Sequence, residues 1–117
     1  MFDHIGLRVE DLAASVRFYR AALEPLGVEL TVQDAATAGF GSAGATGLWL
    51  AQTPGAGERG VHLALRTRDR AAIERFYKEG LAAGGRDNGA PGLRADYGPS
   101  HFAAFLIDPD GNNVEAV

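Results

Sequence analysis

The chain has 117 residues, 46% of them hydrophobic and 22% charged, which is typical of a folded globular protein rather than a disordered one. Its formal net charge of −4 argues against a non-specific nucleic-acid binder, and the absence of cysteine excludes disulfides, cysteine–zinc sites and a thiol nucleophile. Because the sequence has no apolar run of membrane-spanning length and no signal-peptide pattern, we expect a soluble, cytoplasmic protein without a membrane partner.

The first half of the chain predicts one strand, one helix and three short strands. Residues 3–9 alternate in character and include β-branched side chains, which favours a strand. Asp11 is a suitable N-cap for the following helix and Gly27 a suitable residue just after it. The apolar stripe of this helix comprises Leu12, Val16, Tyr19, Leu23 and Leu26. Short strands are then predicted at 28–33, about 37–41 and 47–52.

The second half repeats this order. Residues 4–27 align without a gap to residues 62–85, and 11 of the 24 aligned positions are identical. The second copy predicts a strand at 61–67, an N-cap at Asp69, a helix carrying Ile73, Phe76, Tyr77 and Leu81, and strands at about 93–97, 101–107 and 113–117. We therefore predict one α+β domain over 1–117, with unit one at 1–53, a linker rich in Gly and Pro at 54–60, and unit two at 61–117.

Two glycine-containing segments are predicted to be turns. Residues 39–44 match the GxGxxG spacing, but a dinucleotide loop needs a buried strand before it and a helix after it. Residues 33–36 (QDAA) precede this segment and the strand-like residues 48–50 follow it, so we favour a hairpin. Residues 108–111 (DPDG) predict a tight turn, because Pro presets φ and Gly accepts a positive φ.

Two histidines occupy equivalent places in the duplicated units. His4 and His62 lie on the first strand of each unit, and a pseudo-twofold pairing of the units lets them face one cavity, where a divalent metal can bind. Glu115 is the candidate third ligand, because alternation on the last strand directs it away from its neighbours Val114 and Ala116. The alternatives are packed or exposed strand histidines and a solvated carboxylate near the chain end.

The sequence resembles the vicinal oxygen chelate superfamily, which includes glyoxalase, bleomycin-resistance, fosfomycin-resistance and extradiol dioxygenase proteins. The resemblance covers essentially the whole chain and rests on residues 3–9 (DHIGLRV), residues 17–19 (RFY) and residues 105–115 (FLIDPDGNNVE). It implies paired βαβββ units that form a half-open barrel around a metal cleft. It also implies that His4, His62 and Glu115 occupy ligand positions.

The sequence departs from the glyoxalase I pattern at one position. Aligning residues 48–50 with residues 114–116 places Trp49 opposite Glu115, where glyoxalase I and methylmalonyl-CoA epimerase carry a Glu or Gln ligand, and tryptophan cannot coordinate a metal. The remaining two-histidine, one-carboxylate set resembles extradiol dioxygenases and fosfomycin-modifying enzymes. Zinc, iron, manganese and nickel all fit such a set. We expect a metal-dependent lyase, dioxygenase or transferase acting on a small substrate, and the alternative is a drug-binding protein of the bleomycin-resistance type without turnover.

Further residues are candidates for the substrate pocket. Trp49 is either a core side chain or an aromatic wall for the substrate. In the polar segment 86–101, Arg94 can pair with an anionic substrate, and Tyr97 or His101 can exchange a proton beside the metal. An exposed hairpin with merely solvated charges is the alternative for this segment. Because half-barrels leave strand edges and an apolar concave face open, and because the resemblance favours dimers, we expect a homodimer.

Overall fold

A computed structural model describes residues 2–56 and 60–117, so residues 57–59 of the predicted linker lie outside the described residues. The first half comprises β1 (Ile5–Val9), α1 (Leu12–Leu23), β2 (Glu29–Gln33), β3 (Thr37–Ser42) and β4 (Ala45–Gln52). The second half comprises β5 (His62–Leu65), α2 (Arg70–Ala82), β6 (Arg86–Leu93), β7 (Phe102–Ile107) and β8 (Asn113–Ala116). Short 3-10 turns lie at Glu24–Leu26 and Ala95–Tyr97.

Each half builds one four-stranded sheet with the same topology. The strand orders are β1-β4-β3-β2 and β5-β8-β7-β6, and in each sheet the first strand of the unit runs parallel to the last. The other neighbouring strands are antiparallel. The two sheets stay separate and do not close into a barrel. The predicted α+β fold of two βαβββ units is therefore confirmed.

One predicted strand is wrong. The strand expected at about 93–97 is instead β6 at Arg86–Leu93, and Ala95–Tyr97 forms a 3-10 turn. The pattern of β6 is obscured because Gly89, Pro91 and Gly92 have low strand propensity. The sheet tolerates them because β6 is an edge strand whose register with β7 shifts at two places. As a result, the polar residues of β6 lie in the same sheet as β7 and β8.

Both helices begin where the sequence predicts. Asp11 Oδ1 accepts a hydrogen bond from the Ala14 N–H at 3.1 Å, and Asp69 Oδ1 accepts one from the Ala71 N–H at 2.9 Å. Gly27 adopts a φ of 76° and ends the 3-10 turn that follows α1. Neither helix is long and apolar enough to cross a membrane.

The core lies where each helix packs on its own sheet and the two helices pack on each other. A Cβ atom at Gly80 would lie 2.3 Å from Leu106 Cδ1 on β7 and 3.3 Å from Ala22 Cβ on α1, so α2 packs closely on both elements because this position lacks a side chain. Of the predicted stripe on α2, Ile73 and Phe76 are buried. The fully buried large side chains include Phe18, Tyr19, Leu23, Phe40, Leu50, Phe76 and Leu106.

The turn at 108–111 docks unit two onto α1. Gly111 has a φ of 87° and its N–H donates to the Asp108 carbonyl at 3.1 Å, which confirms the predicted turn. The Tyr19 hydroxyl donates to Asp108 Oδ2 at 2.6 Å, and the Ser15 hydroxyl donates to Asp110 Oδ2 at 3.1 Å. Burial, and then the negative charge of Asp108, raise the pKa of Tyr19 well above its ordinary value. Tyr19 is therefore a neutral donor that joins the units.

The glycine-rich segment 39–44 is a hairpin, as the sequence predicts. It spans the end of β3 and the connection to β4, where Ala43 and Gly44 have φ values of 51° and 80°. Two consecutive residues with positive φ are the signature of a tight two-residue hairpin. A Cβ at Gly41 would lie 1.7 Å from the Ala45 carbonyl oxygen, so this glycine is required by the close approach of the two strands.

Candidate functional site

Glu115 is a buried carboxylate on the face of β8 that points away from the helices. Its neighbours Val114 and Ala116 belong to the helix-side core, so the period of two directs Glu115 to the opposite face. The residue is only 6% exposed. Its carboxylate contacts two imidazoles, with His62 Nε2 at 2.9 Å from Oε2 and His101 Nε2 at 3.2 Å from Oε1. Both oxygens of a buried charge are therefore partnered.

His62 is positioned by the parallel pairing of β5 with β8. It lies opposite Asn113 in the register, two residues before the Ala64–Glu115 pair, and the period of two places its ring on the same face as Glu115. Its side chain is 52% exposed. The Asn113 side-chain amide Nδ2 lies 2.7 Å from His62 Nδ1, and the Asn88 side-chain amide donates to Asn113 Oδ1 at 3.1 Å. One ring nitrogen of His62 thus faces Glu115 and the other faces a pair of amides.

His101 approaches Glu115 from the loop before β7. Its backbone carbonyl accepts a hydrogen bond from the Arg94 N–H at 2.7 Å, which closes the loop that contains the 3-10 turn. The His101 side chain is 27% exposed, so part of the ring faces solvent at the rim of the sheet. The exposed ring of Tyr97 lies with its centroid 5.4 Å from that of His101. The predicted pocket residues Tyr97 and His101 are neighbours in the structure.

Arg94 and Phe105 extend the same surface. Phe105 pairs with Glu115 across β7 and β8, so its ring lies on the Glu115 face, 6.4 Å from the His62 ring between centroids. The Arg94 guanidinium carbon lies 5.4 Å from the centre of the Phe105 ring, and its Nη2 donates to the Ala90 carbonyl at 2.6 Å. We call the group formed by Glu115, His62, His101 and Phe105 the Glu115 cluster. Arg94 is a fixed cation beside this cluster.

His4 lies in unit one, just before β1. Its Nδ1 is 2.7 Å from Asp3 Oδ1, and both side chains are exposed. The ring lines a cavity of about 360 Å³ whose walls include Phe40, Leu48 and Leu63. Within residues 2–56 and 60–117 of a single chain, no group of three His, Asp or Glu side chains is arranged to hold a metal ion. The chain brings His62 and Glu115 together and does not bring His4 to them.

The sequence matches the model of one family along nearly its full length. That family is described as the Glyoxalase/Bleomycin resistance protein/Dioxygenase superfamily, and the match covers residues 1–116. The chain belongs to this superfamily. No curated protein matches the chain.

Solved structures of this superfamily share the fold. A glyoxalase/bleomycin resistance protein from Albidiferax ferrireducens T118 is 29% identical, with 99% of this chain and 96% of that chain covered and a TM-score of 0.83. A putative glyoxalase from Bacillus halodurans is 24% identical, with 100% and 94% covered and a TM-score of 0.76. A bleomycin resistance determinant encoded on the transposon Tn5 is 24% identical, with 95% and 91% covered and a TM-score of 0.64. Both enzyme-like and drug-resistance proteins thus share this superfamily's fold.

Within this superfamily fold, Trp49 holds the unit-one position that corresponds to Glu115. Gly6 pairs with Trp49 across β1 and β4, as Ala64 pairs with Glu115 across β5 and β8. The register therefore agrees with the equivalence read from the sequence. A Cβ at Gly39 would lie 3.3 Å from Trp49 Cζ3, so the half-buried indole lies over a glycine on the open face of the first sheet.

Sequence reasoning missed three residues of the Glu115 cluster and its surroundings. Phe105 is not among the predicted site residues, although alternation along 102–107 places it on the same face as Glu115. Asn113 lies two residues before Glu115, and a period of two is the signal that both face the same side. Asn88 could not be found because the position of β6 was predicted wrongly.

Proposed function

We propose that this chain functions as a homodimeric, divalent-metal-dependent enzyme that acts on a small molecule with two adjacent oxygen atoms. The observation that carries the proposal is the contact of 2.9 Å between His62 Nε2 and the buried Glu115 Oε2. A carboxylate oxygen and an imidazole nitrogen are common ligands of divalent metals, and here they converge from different strands on an open sheet face. The match to a superfamily whose description includes glyoxalases and dioxygenases supports an enzymatic role for this cluster.

The spacing of these two donors suits one metal ion. Ligand atoms at about 2.0–2.2 Å from a zinc-like ion, at angles between those of octahedral and tetrahedral geometry, lie about 2.8–3.6 Å apart. The observed separation of 2.9 Å falls within this range. His101 Nε2, at 3.2 Å from the other carboxylate oxygen, lies close enough to remain a partner of Glu115. One chain thus supplies two of the three proposed ligands.

The third proposed ligand is His4 of a second copy. His4 lies just before the first strand of unit one, and the described residues of one chain hold no three-ligand group, which supports placing the third ligand on a second chain. β1 and β5 are edge strands of their sheets, and the backbone groups of an edge strand can pair with a strand of another chain. Exposed Phe2 and Val61 lie just before these strands. A twofold dimer built this way has two identical sites.

Three further side chains, His101, Arg94 and Trp49, have separate roles in such a site. A bound divalent ion would polarise two neighbouring substrate oxygens as a Lewis acid. His101, partly exposed and hydrogen-bonded to Glu115, can accept or return a proton at Nδ1, the nitrogen that faces away from that bond. Arg94 can attract an anionic group, because its guanidinium is fixed over Phe105. Trp49 of the other copy would form an apolar wall without coordinating.

The test is titration of the purified protein with Zn²⁺, Mn²⁺ and Ni²⁺ by calorimetry, with sedimentation to give the mass of the particle. We expect a dimer with about one metal per chain. Glu115→Gln should weaken binding by at least about tenfold, because it removes the charge of a ligand. Glu79→Gln, on the exposed face of α2, is the matched control and should bind metal like the wild type. A monomer that binds no metal would overturn the proposal.

A second candidate is a metal-free protein that binds and sequesters a small molecule. Trp49 in place of a fourth ligand favours it, together with the lack of a three-ligand group among residues 2–56 and 60–117. The same titration separates the two candidates. A dimer that binds bleomycin tightly, binds no metal and turns nothing over would identify this second function.

A further inference from the structure

A second cavity lies on the helical side of the molecule, across the sheets from the Glu115 cluster. It has a volume of about 660 Å³ and is bordered by α1, α2 and the 3-10 turn at Glu24–Leu26. Small-molecule sites usually measure about 300–1,000 Å³, so its size suits a compact ligand. None of the described residues that line it belongs to the Glu115 cluster. The cavity is therefore separate from the proposed metal site.

Three arginines line this cavity, and two of them are equivalent in the repeat. Arg17 and Arg75 lie 58 positions apart, at the same place on α1 and α2, and Arg20 follows Arg17 by one turn of α1. The packing of α1 on α2 brings guanidinium groups from both units to one opening. Guanidinium groups bind carboxylates and phosphates through paired hydrogen bonds, so the opening is suited to an anion.

The two equivalent arginines differ in what they contact. Arg17 Nε donates to the Ala83 carbonyl at 3.4 Å, at the C-terminal end of α2. A Cβ at Gly84 would lie 3.0 Å from Arg17 Nη2, so this glycine leaves room for the contact. The residue equivalent to Gly84 in unit one is Leu26, so Arg75 has no such glycine beside it. Arg17 is therefore held on α2, whereas Arg75 faces the cavity.

Arg20 and Arg75 are not neutralised by the acids that follow them. Glu24 and Glu79 lie four residues after these arginines, a spacing that allows ion pairs but in the weaker order, with the cation first. Every ion pair among residues 2–56 and 60–117 involves a histidine, and neither arginine donates a side-chain hydrogen bond there. Both guanidinium groups therefore keep their donors for a ligand.

We propose that this cavity binds a small organic anion, with its carboxylate or phosphate on Arg20 and Arg75 and an apolar body against α1. Ala13, Val16 and Pro25 supply the apolar wall, and Val16 is only 8% exposed. The two glutamates that line the cavity repel further negative charge, so the ligand carries one anionic group rather than several. The inference does not depend on a metal at the Glu115 cluster.

Titration of the ¹⁵N-labelled protein with benzoate, phenyl phosphate and neutral benzamide tests this site. We expect one or both anions to shift backbone amide signals around Ala13, Ala21 and Glu79, and benzamide to leave them unchanged. Binding of benzoate alone would identify a carboxylate as the preferred group, and binding of phenyl phosphate alone a phosphate. Shifts with neither anion, equal shifts with benzamide, or shifts only around Arg94 would overturn the inference.

Substitutions separate the two arginines from the general charge of the chain. The double variant Arg20→Gln with Arg75→Gln should bind the anion at least about tenfold more weakly, because it loses charge-assisted hydrogen bonds. Arg68→Gln is the matched control, since Arg68 is exposed and does not line the cavity, and it should bind like the wild type. Glu79→Gln removes a like charge and should bind about two- to fourfold more tightly. A double variant that binds like the wild type, or an equal loss in Arg68→Gln, would contradict the site.

A second copy of the chain is the competing occupant of this opening. If two copies met here, loss of both arginines would change the particle mass measured by sedimentation. We expect the double variant to have the same mass and the same thermal unfolding curve as the wild type, because both arginines are exposed and have no partner among the described residues. A double variant that loses its dimer would assign the cavity to a subunit interface and overturn the ligand site.

Discussion

Two tyrosines at equivalent positions of the repeat provide an internal test of how the units are joined. Tyr19 donates to Asp108 Oδ2 at 2.6 Å, and both residues are buried, with exposures of 0% and 1%. Its unit-two counterpart Tyr77 donates to Asp87 Oδ1 at 2.9 Å, in an exposed contact. The replacements Tyr19→Phe and Tyr77→Phe each remove one hydroxyl from one tyrosine–aspartate pair. The Tyr19 pair is buried and the Tyr77 pair is exposed.

The buried pair should contribute far more. A hydrogen bond to a charged group is worth about 1.5–3 kcal/mol, and the phenylalanine variant leaves a buried carboxylate oxygen with one donor fewer. Because unfolding entropy for a chain of 117 residues is about 0.25 kcal/mol/K, Tyr19→Phe should lower Tm by about 6–12 °C. Tyr77→Phe should stay within about 0.5 kcal/mol of the wild type, as surface changes usually do.

Urea and thermal unfolding followed by circular dichroism would measure both free energies of unfolding. Equal losses of unfolding free energy in the two variants would refute the reasoning, because the expected difference depends on the burial of the Tyr19–Asp108 pair. A loss below about 0.5 kcal/mol for Tyr19→Phe would show that the Tyr19–Asp108 bond is not a significant link between the units.

Two further predictions concern alkaline stability and the metal set. Because the pKa of Tyr19 is raised in the folded state, the unfolded chain loses this proton first, so the stabilisation is complete below about pH 10 and is lost as pH rises through the folded value. Urea midpoints between pH 9 and pH 11 should fall in the wild type and fall less in Tyr19→Phe. Trp49→Glu places a carboxylate at the unit-one equivalent of Glu115, so it should tighten Zn²⁺ binding by at least about tenfold in calorimetry. Unchanged affinity would show that Trp49 does not face the metal.

The repeated pattern made most of the fold predictable. Identical residues 58 positions apart defined two units, and both aspartate caps formed as expected at Asp11 and Asp69. The period of two on the last strand correctly separated Glu115 from Val114 and Ala116. These features are local, because caps, turns and alternation depend on a few neighbouring residues.

The errors have physical causes that one sequence does not reveal. β6 was misplaced because tertiary pairing on an edge strand overrode the low strand propensity of Gly89, Pro91 and Gly92. The contact of Asn113 with His62 depends on the parallel register of β5 and β8, which joins segments 51 residues apart. The predicted convergence of His4 on His62 and Glu115 is a statement about assembly, and it stays a prediction.

Subunit mixing tests most directly whether the site is shared between two copies. His4→Ala and His62→Ala each leave a homodimer without an intact ligand set, so neither variant alone should bind Zn²⁺ tightly. After unfolding and refolding together in equal amounts, about half of the dimers are mixed and each holds one intact site, so calorimetry should give about one tight Zn²⁺ per four chains. Tight binding that remains absent from the refolded mixture, while the refolded wild type binds about one Zn²⁺ per chain, would contradict a site built across two copies.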